Sequence, residues 1–171
     1  VRGLTSQAPS RLEVVASDND PRITESLGRD DMARVIAVLA RHYSIVICDT
    51  GTGILEGATQ GVLGSADQVV LCAAPSIDAS RVTALTLDWM DQNGHSDLAR
   101  NAVVALNGIR QGLGDTDLLE RYFQRRCRAV VRIPHDKRLA IGGETTLEEL
   151  QPATRSAYLR LAAAVASGFA R

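Results

Sequence analysis

Four short and nearly uninterrupted apolar runs recur along the 171 residues: SIVIC (44–48), VVLCAA (69–74), AVVAL (102–106) and AVVRI (129–133). Each is separated from the next by enough chain for a helix. Runs of this length without polar alternation are strands buried on both faces, and strands that alternate with helices build parallel βαβ units. An α/β domain with a mostly parallel, doubly wound sheet is the expected fold.

The segments between the runs have helical periodicity. Asp31–Arg41 places Met32, Val35, Ile36 and Leu39 on one face. Asp78–Gln92 offers broad apolar cover through Val82, Leu85, Leu87, Trp89 and Met90, and Asn93-Gly94 ends it. Leu118, Leu119, Tyr122 and Phe123 mark a helix from about Asp115 to Arg126, and a last one spans Pro152–Phe169 with proline at its start. Glu56–Ser65 is a short helix weakened by Gly57, Gly61 and Gly64, glycines that would also permit close packing. Leu12–Ala16 is a further strand candidate. The turn that follows, Ser17 to Pro21, carries Asp18 and Asp20 but lacks the glycine and distal glutamate of a calcium loop. Residues 1–11 are expected to be a leader and 12–171 the domain.

Composition removes several function classes. With 45% hydrophobic residues and a formal net charge of -1, the chain can build a core, and its overall charge does not call for nucleic acid or an anionic membrane. Cys48, Cys72 and Cys127 are too widely spaced for a zinc site or a disulfide framework and read as buried reduced thiols of a cytoplasmic protein. No stretch approaches the roughly 20 apolar residues of a membrane span, and no signal peptide is visible. The polar opening VRGLTSQAPSR, starting at Val1, reads as part of a longer polypeptide.

The first run ends in Asp49-Thr50-Gly51-Thr52-Gly53. Open α/β sheets bind ligands outside the carboxyl ends of their strands. An aspartate followed by small residues with free amides suits magnesium and the terminal phosphate of a nucleotide. Asp49 as a simple cap of its own turn is the alternative.

In order, SIVICDTGTG, ADQVVLCAAPSIDASRVTALTLDWM, NAVVALNGI and AVVRIPHDKRL resemble the body of MinD/ParA-family deviant P-loop ATPases, over roughly Leu12 to Ala166. The resemblance implies a three-layer Rossmann-like P-loop NTPase fold, ATP and magnesium as cofactors, and an ATP-dependent homodimer that positions or regulates a partner assembly in partitioning, cell division or secretion. More narrowly, the chain is similar to MinD-like proteins found near type VII secretion loci. The resemblance makes Asp49 the Walker B aspartate and magnesium residue, and Gly53 the switch II glycine. It puts Asn107 beside adenine, with Pro134, His135 and Asp136 in the loop that borders the base. Asn107-Gly108 is equally an ordinary turn, and Ile133-Pro134 an ordinary strand end.

The departures are specific. A phosphate-binding loop needs glycines for close backbone approach and a lysine for the phosphates. All but one of the 19 basic residues are arginine, and Lys137 lies in PHDKRL, outside any GxxxxGK[ST] pattern. The family's first strand, which neighbours the Walker B strand, is also missing. The chain by itself is therefore expected neither to hydrolyse ATP nor to bind it tightly, and the run at 44–48 needs some other neighbour. A scaffold that binds partners without hydrolysing nucleotide is the alternative function. Arg121, Arg125, Arg126, Arg128 and Arg132 form the one basic cluster, and Arg121, Arg125 and Arg126 are candidates for nonspecific DNA binding. The expected location is cytoplasmic or peripheral to the membrane.

Overall fold

The computed structural model describes residues 2–16, 27–51, 54–110, 112 and 115–169. The turn from Ser17 to Pro21, together with Thr52 and Gly53, lies outside the described residues. The chain divides into two compact units, 1–66 and 67–171.

In the first unit a two-residue strand β1 (Ser6–Gln7) pairs antiparallel with β2 (Glu13–Val14). The Glu13 carboxylate accepts hydrogen bonds from the Thr5 and Tyr43 hydroxyls, which ties this hairpin to residue 43. Helix α1 (Arg29–Leu39) packs against α2 (Gly57–Leu63), with Met32, Ile36 and Leu39 half-buried and Val35 exposed. Gly61 sits where the two backbones meet. A Cβ there would lie 2.4 Å from the Arg29 carbonyl oxygen, so a residue that weakens the helix in isolation is what allows the approach.

Two strand expectations fail in this unit. Leu12–Ala16 forms only the two residues of β2. The run at 44–48 forms no strand, and Ile45 and Ile47 are 71% and 83% exposed. An extended segment holds β structure only when a neighbour takes its N–H and C=O groups. Among the described residues the backbone of 45–50 has no such neighbour.

The second unit carries the parallel sheet. Its elements are β3 (Val70–Ala73), α3 (Ile77–Gln92), α4 (Ser96–Asn101), β4 (Val103–Ile109), α5 (Thr116–Gln124), β5 (Ala129–Pro134), α6 (Lys137–Ile141) and α7 (Pro152–Ser167). The sheet order is β3-β4-β5, with Val70 opposite Val103 and Val103 opposite Ala129. Both crossovers step in the same direction, so right-handed connections put α3 and α5 on one face. Val103, Ala105, Val131 and Ile133 pack with Ala157 and Tyr158 of α7 on the other.

Successive residues of a strand point to opposite faces, so Val104 and Leu106 turn toward α3 and α5. Those helices bring Leu87, Met90, Leu119 and Phe123, all buried. Arg132, paired with Leu106, confirms the placement by binding Asp117 and Glu120 of α5. The result is a helix–sheet–helix sandwich with β4, buried at four consecutive positions, as its centre. Each fully buried side chain of leucine size contributes on the order of 1.5–3 kcal/mol.

Several details differ from expectation. α3 starts at Ile77, one residue before the expected Asp78, and Ser76 caps it by accepting the Ala79 N–H at 3.3 Å. Two of the five apolar residues assigned to α3 are not core: Val82 and Leu85 are 63% and 60% exposed. Of the three thiols only Cys127 is buried; Cys48 is half-buried and Cys72 exposed. Cys72 lies on β3, an edge strand of this sheet among the described residues.

Candidate functional site

The carboxyl ends of β4 and β5 bring three of the six candidate residues together. Asn107 stands opposite Ile133 and Ile109 opposite Pro134, so the chain takes two steps on β4 for one on β5. Gly108 supplies the extra residue, at φ 80°, a left-handed conformation that glycine adopts without strain. The His135 N–H then donates to the Ile109 carbonyl at 2.8 Å and holds the end of β5 against the end of β4. Asn107 is exposed, and Pro134 and His135 are half-buried.

Asp136 follows directly and is different in character. It is buried, and each oxygen of its carboxylate accepts a backbone N–H at 2.9 Å: Oδ1 from Arg138 at the start of α6, Oδ2 from Gln151 at the cap of α7. The Gln151 and Arg138 bonds hold this carboxyl below the ordinary carboxylate range. Buried Thr154 directs its hydroxyl toward the same carboxyl, though outside the geometry of a formed hydrogen bond. Asp136 thus fastens two helix starts directly after the half-buried Pro134 and His135. An aspartate immediately before a helix is an N-cap signal, and that signal was present in the sequence.

Asp49 belongs to the first unit, at the end of the unpaired run. It is exposed, and its Oδ1 accepts the Gly51 N–H at 3.5 Å, the outer limit of a hydrogen bond, while Gly51 takes φ 65°. This is the turn-capping geometry in a weak form, and it leaves the carboxylate open to solvent. Gly53 lies outside the described residues.

An exposed amide, an imidazole and a proline ring at adjacent strand ends suit the edge and face of a planar base. Magnesium bound through one carboxylate needs phosphate oxygens and water to complete its shell. Among the described residues no group of three or more His, Cys, Asp or Glu could hold a metal by itself. Lys137, the only lysine, is the exposed first residue of α6, not part of a glycine-rich cradle.

The basic cluster separates into two kinds. Arg126 binds Asp88 at 2.6 Å and Asp91 at 3.7 Å. Arg132 binds Asp117 and Glu120, and Arg128 is engaged by Gln68, Ala164 and Ser167. Only Arg121 and Arg125 stay exposed without a partner among the described residues. Arg126 is therefore withdrawn from the proposed DNA patch.

Over this geometry, the structure superimposes on a ParA family ATPase from Chlorobium tepidum TLS with a TM-score of 0.67 and 19% identity, covering 80% of this chain and 55% of that one. The fold is ParA-like. Two curated relatives, both named ESX-1 secretion-associated protein EspI and from two strains of Mycobacterium tuberculosis, are 33% identical over 175 residues. That similarity takes in 100% of this chain and 26% of each relative, so the chain spans about a quarter of their length. No family model matches. No helix among the described residues is long and apolar enough to cross a membrane.

Proposed function

We propose that this chain is part of a ParA-like ATPase domain serving a secretion-related assembly, and that it supplies half of a nucleotide site. The observation that carries this reading is the convergence of Asn107, Pro134 and His135 at the carboxyl ends of β4 and β5 in a ParA-like fold. In this reading Asn107 and the loop from Pro134 to Asp136 border adenine. Asp136 does so indirectly, by fixing where His135 stands. Asp49 holds magnesium through water, and Gly53 faces the terminal phosphate. The phosphate cradle comes from outside these 171 residues, and ATP-dependent dimerisation would couple the site to its partners. The secretion association rests on the relatives' name.

The decisive experiment uses the protein encoded in full. Asp49→Asn should abolish magnesium-dependent ATP hydrolysis, and Asn107→Ala should raise the KM for ATP more than it lowers kcat. Unchanged turnover in Asp49→Asn sinks the assignment.

A second reading is a partner-binding scaffold without hydrolysis. Failure of the full-length protein to bind ATP with magnesium at millimolar concentrations would select it.

A further inference from the structure

Helices α3 and α5 lie on one face of the sheet and, since they follow parallel strands, run in the same direction. Arg126 ties them. Its Nη1 donates to the Ala84 carbonyl at 3.4 Å and to the Tyr122 hydroxyl at 3.1 Å, and its Nη2 to Asp88 at 2.6 Å. Beside this tie the outer surface mixes exposed apolar side chains with arginines. Leu118, Arg121, Tyr122 and Arg125 recur at the helical spacing i, i+3, i+4 and i+7 and form one stripe, with Leu118 48% and Tyr122 44% exposed. On α3, Val82 and Leu85 stand one turn apart and face solvent too. The positive charge on the stripe is uncompensated, because Arg121 and Arg125 make no ion pair or hydrogen bond among the described residues.

We infer that this face docks an acidic amphipathic helix of a protein partner. Its apolar residues at i, i+3 or i+4, and i+7 would cover Leu85, Leu118 and Tyr122, and flanking carboxylates would meet Arg121 and Arg125. Helix-in-groove recognition reads partners through apolar anchors at this spacing, and tyrosine and arginine are favoured at interface centres. DNA is a poorer match, since phosphates call for positive charge alone. On this stripe Leu118 and Tyr122 lie among the free arginines. The inference does not depend on nucleotide binding.

The test titrates the 171-residue chain into a fluorescein-labelled helical peptide with leucines at i, i+3, i+4 and i+7 and glutamates on both flanks, read by anisotropy. Saturable binding that weakens with salt is expected. Arg121→Glu with Arg125→Glu, and separately Leu85→Ser with Leu118→Ser, should each reduce affinity about tenfold or more, a loss typical of interface anchors. A peptide with serine in place of leucine should not bind. If the leucine variants melt early, amide shifts of the unmodified chain should map to α3 and α5. Absence of saturable binding overturns the inference. So does tighter binding of a short DNA duplex, or of phosphatidylglycerol vesicles, that is lost in the arginine pair and indifferent to the leucine pair.

Discussion

Arg128 and Gln68 meet at 2.7 Å, with the guanidinium donating to the side-chain oxygen of Gln68. The same guanidinium donates to the Ala164 carbonyl at 2.7 Å, the Ser167 hydroxyl at 2.9 Å and the Asn101 carbonyl at 3.2 Å. The Gln68 amide in turn donates to the Val165 carbonyl at 2.8 Å. The final carbonyls of a helix lack intrahelical donors, and a cation there also complements the helix dipole. One arginine and one glutamine therefore close α7 and tie it to the chain entering β3 and β5, at the end of the sheet opposite the candidate site.

Gly168 tests this network. A Cβ at that position would lie 2.3 Å from the Gln68 side-chain oxygen, although its backbone, at φ -77°, accepts any residue. Gly168→Ala should push Gln68 off Arg128 and cost about 1–2 kcal/mol, the scale of a lost charged hydrogen bond. In a Gln68→Ala background the same change should cost less than about 0.5 kcal/mol, since the partner is gone. Urea titration of the four proteins checks both figures.

Gly61 and Gly64 should respond in opposite ways to alanine. At Gly61 the added carbon meets the Arg29 backbone oxygen at 2.4 Å and the Met32 Cβ at 3.0 Å, neither of which can turn aside. Overpacking of this kind costs about 1–3 kcal/mol. At Gly64 the nearest atom is 3.4 Å away, so alanine should be neutral or mildly stabilising. Hydrogen exchange of residues 29–39 should accelerate in Gly61→Ala and not in Gly64→Ala.

The Asp136 carboxyl predicts an acid-sensitive step. Its folded pKa is depressed, first by the Gln151 N–H and then by that of Arg138. Its contribution to stability is therefore complete above the unfolded value of about 3.9 and disappears as pH falls through the lower folded value. Asp136→Asn keeps one acceptor but turns an amide N–H toward a backbone donor. The variant should melt several degrees lower at pH 7, and the gap to the unmodified chain should narrow below about pH 4. Equal gaps at both pH values would show that the carboxylate is not the source.

The thiols should label in a fixed order. Cys72 is exposed, Cys48 is half-buried with its pKa raised by burial, and Cys127 is buried with its pKa pushed up to about 11, also by burial first. Since the thiolate is the reacting species, iodoacetamide at neutral pH should modify Cys72 first and Cys127 only in denaturant. Peptide mass spectrometry reads the order, and early labelling of Cys127 would contradict the packing described.

Residue pattern was sufficient for the second unit and insufficient for the first. The runs at 69–74, 102–106 and 129–133 each found a parallel partner, so their apolar content was confirmed as sheet. SIVIC reads the same way, yet it has no strand partner among the described residues, and Ile45 and Ile47 are in solvent. Strand formation is a property of pairs, which a single run does not encode. Helix faces were legible where burial fixed them, as at Leu119 and Phe123. They were misjudged at Val82 and Leu85, where apolar residues serve no core. At the candidate site, the positions of Asn107 and Pro134 followed from strand ends. That the Asp136 carboxyl closes onto two backbone N–H groups depended on Gln151, fifteen residues away, which no local pattern reveals.

The extra step that Gly108 inserts into β4 makes chain length itself a variable at the strand end. Deleting that one residue would restore even pairing between Asn107–Ile109 and Ile133–Pro134 while turning the following loop through half a pleat, with every core side chain left in place. A lineage could thus re-aim what lies beside Asn107 by gaining or losing a single codon, without exchanging any of the strand-end side chains.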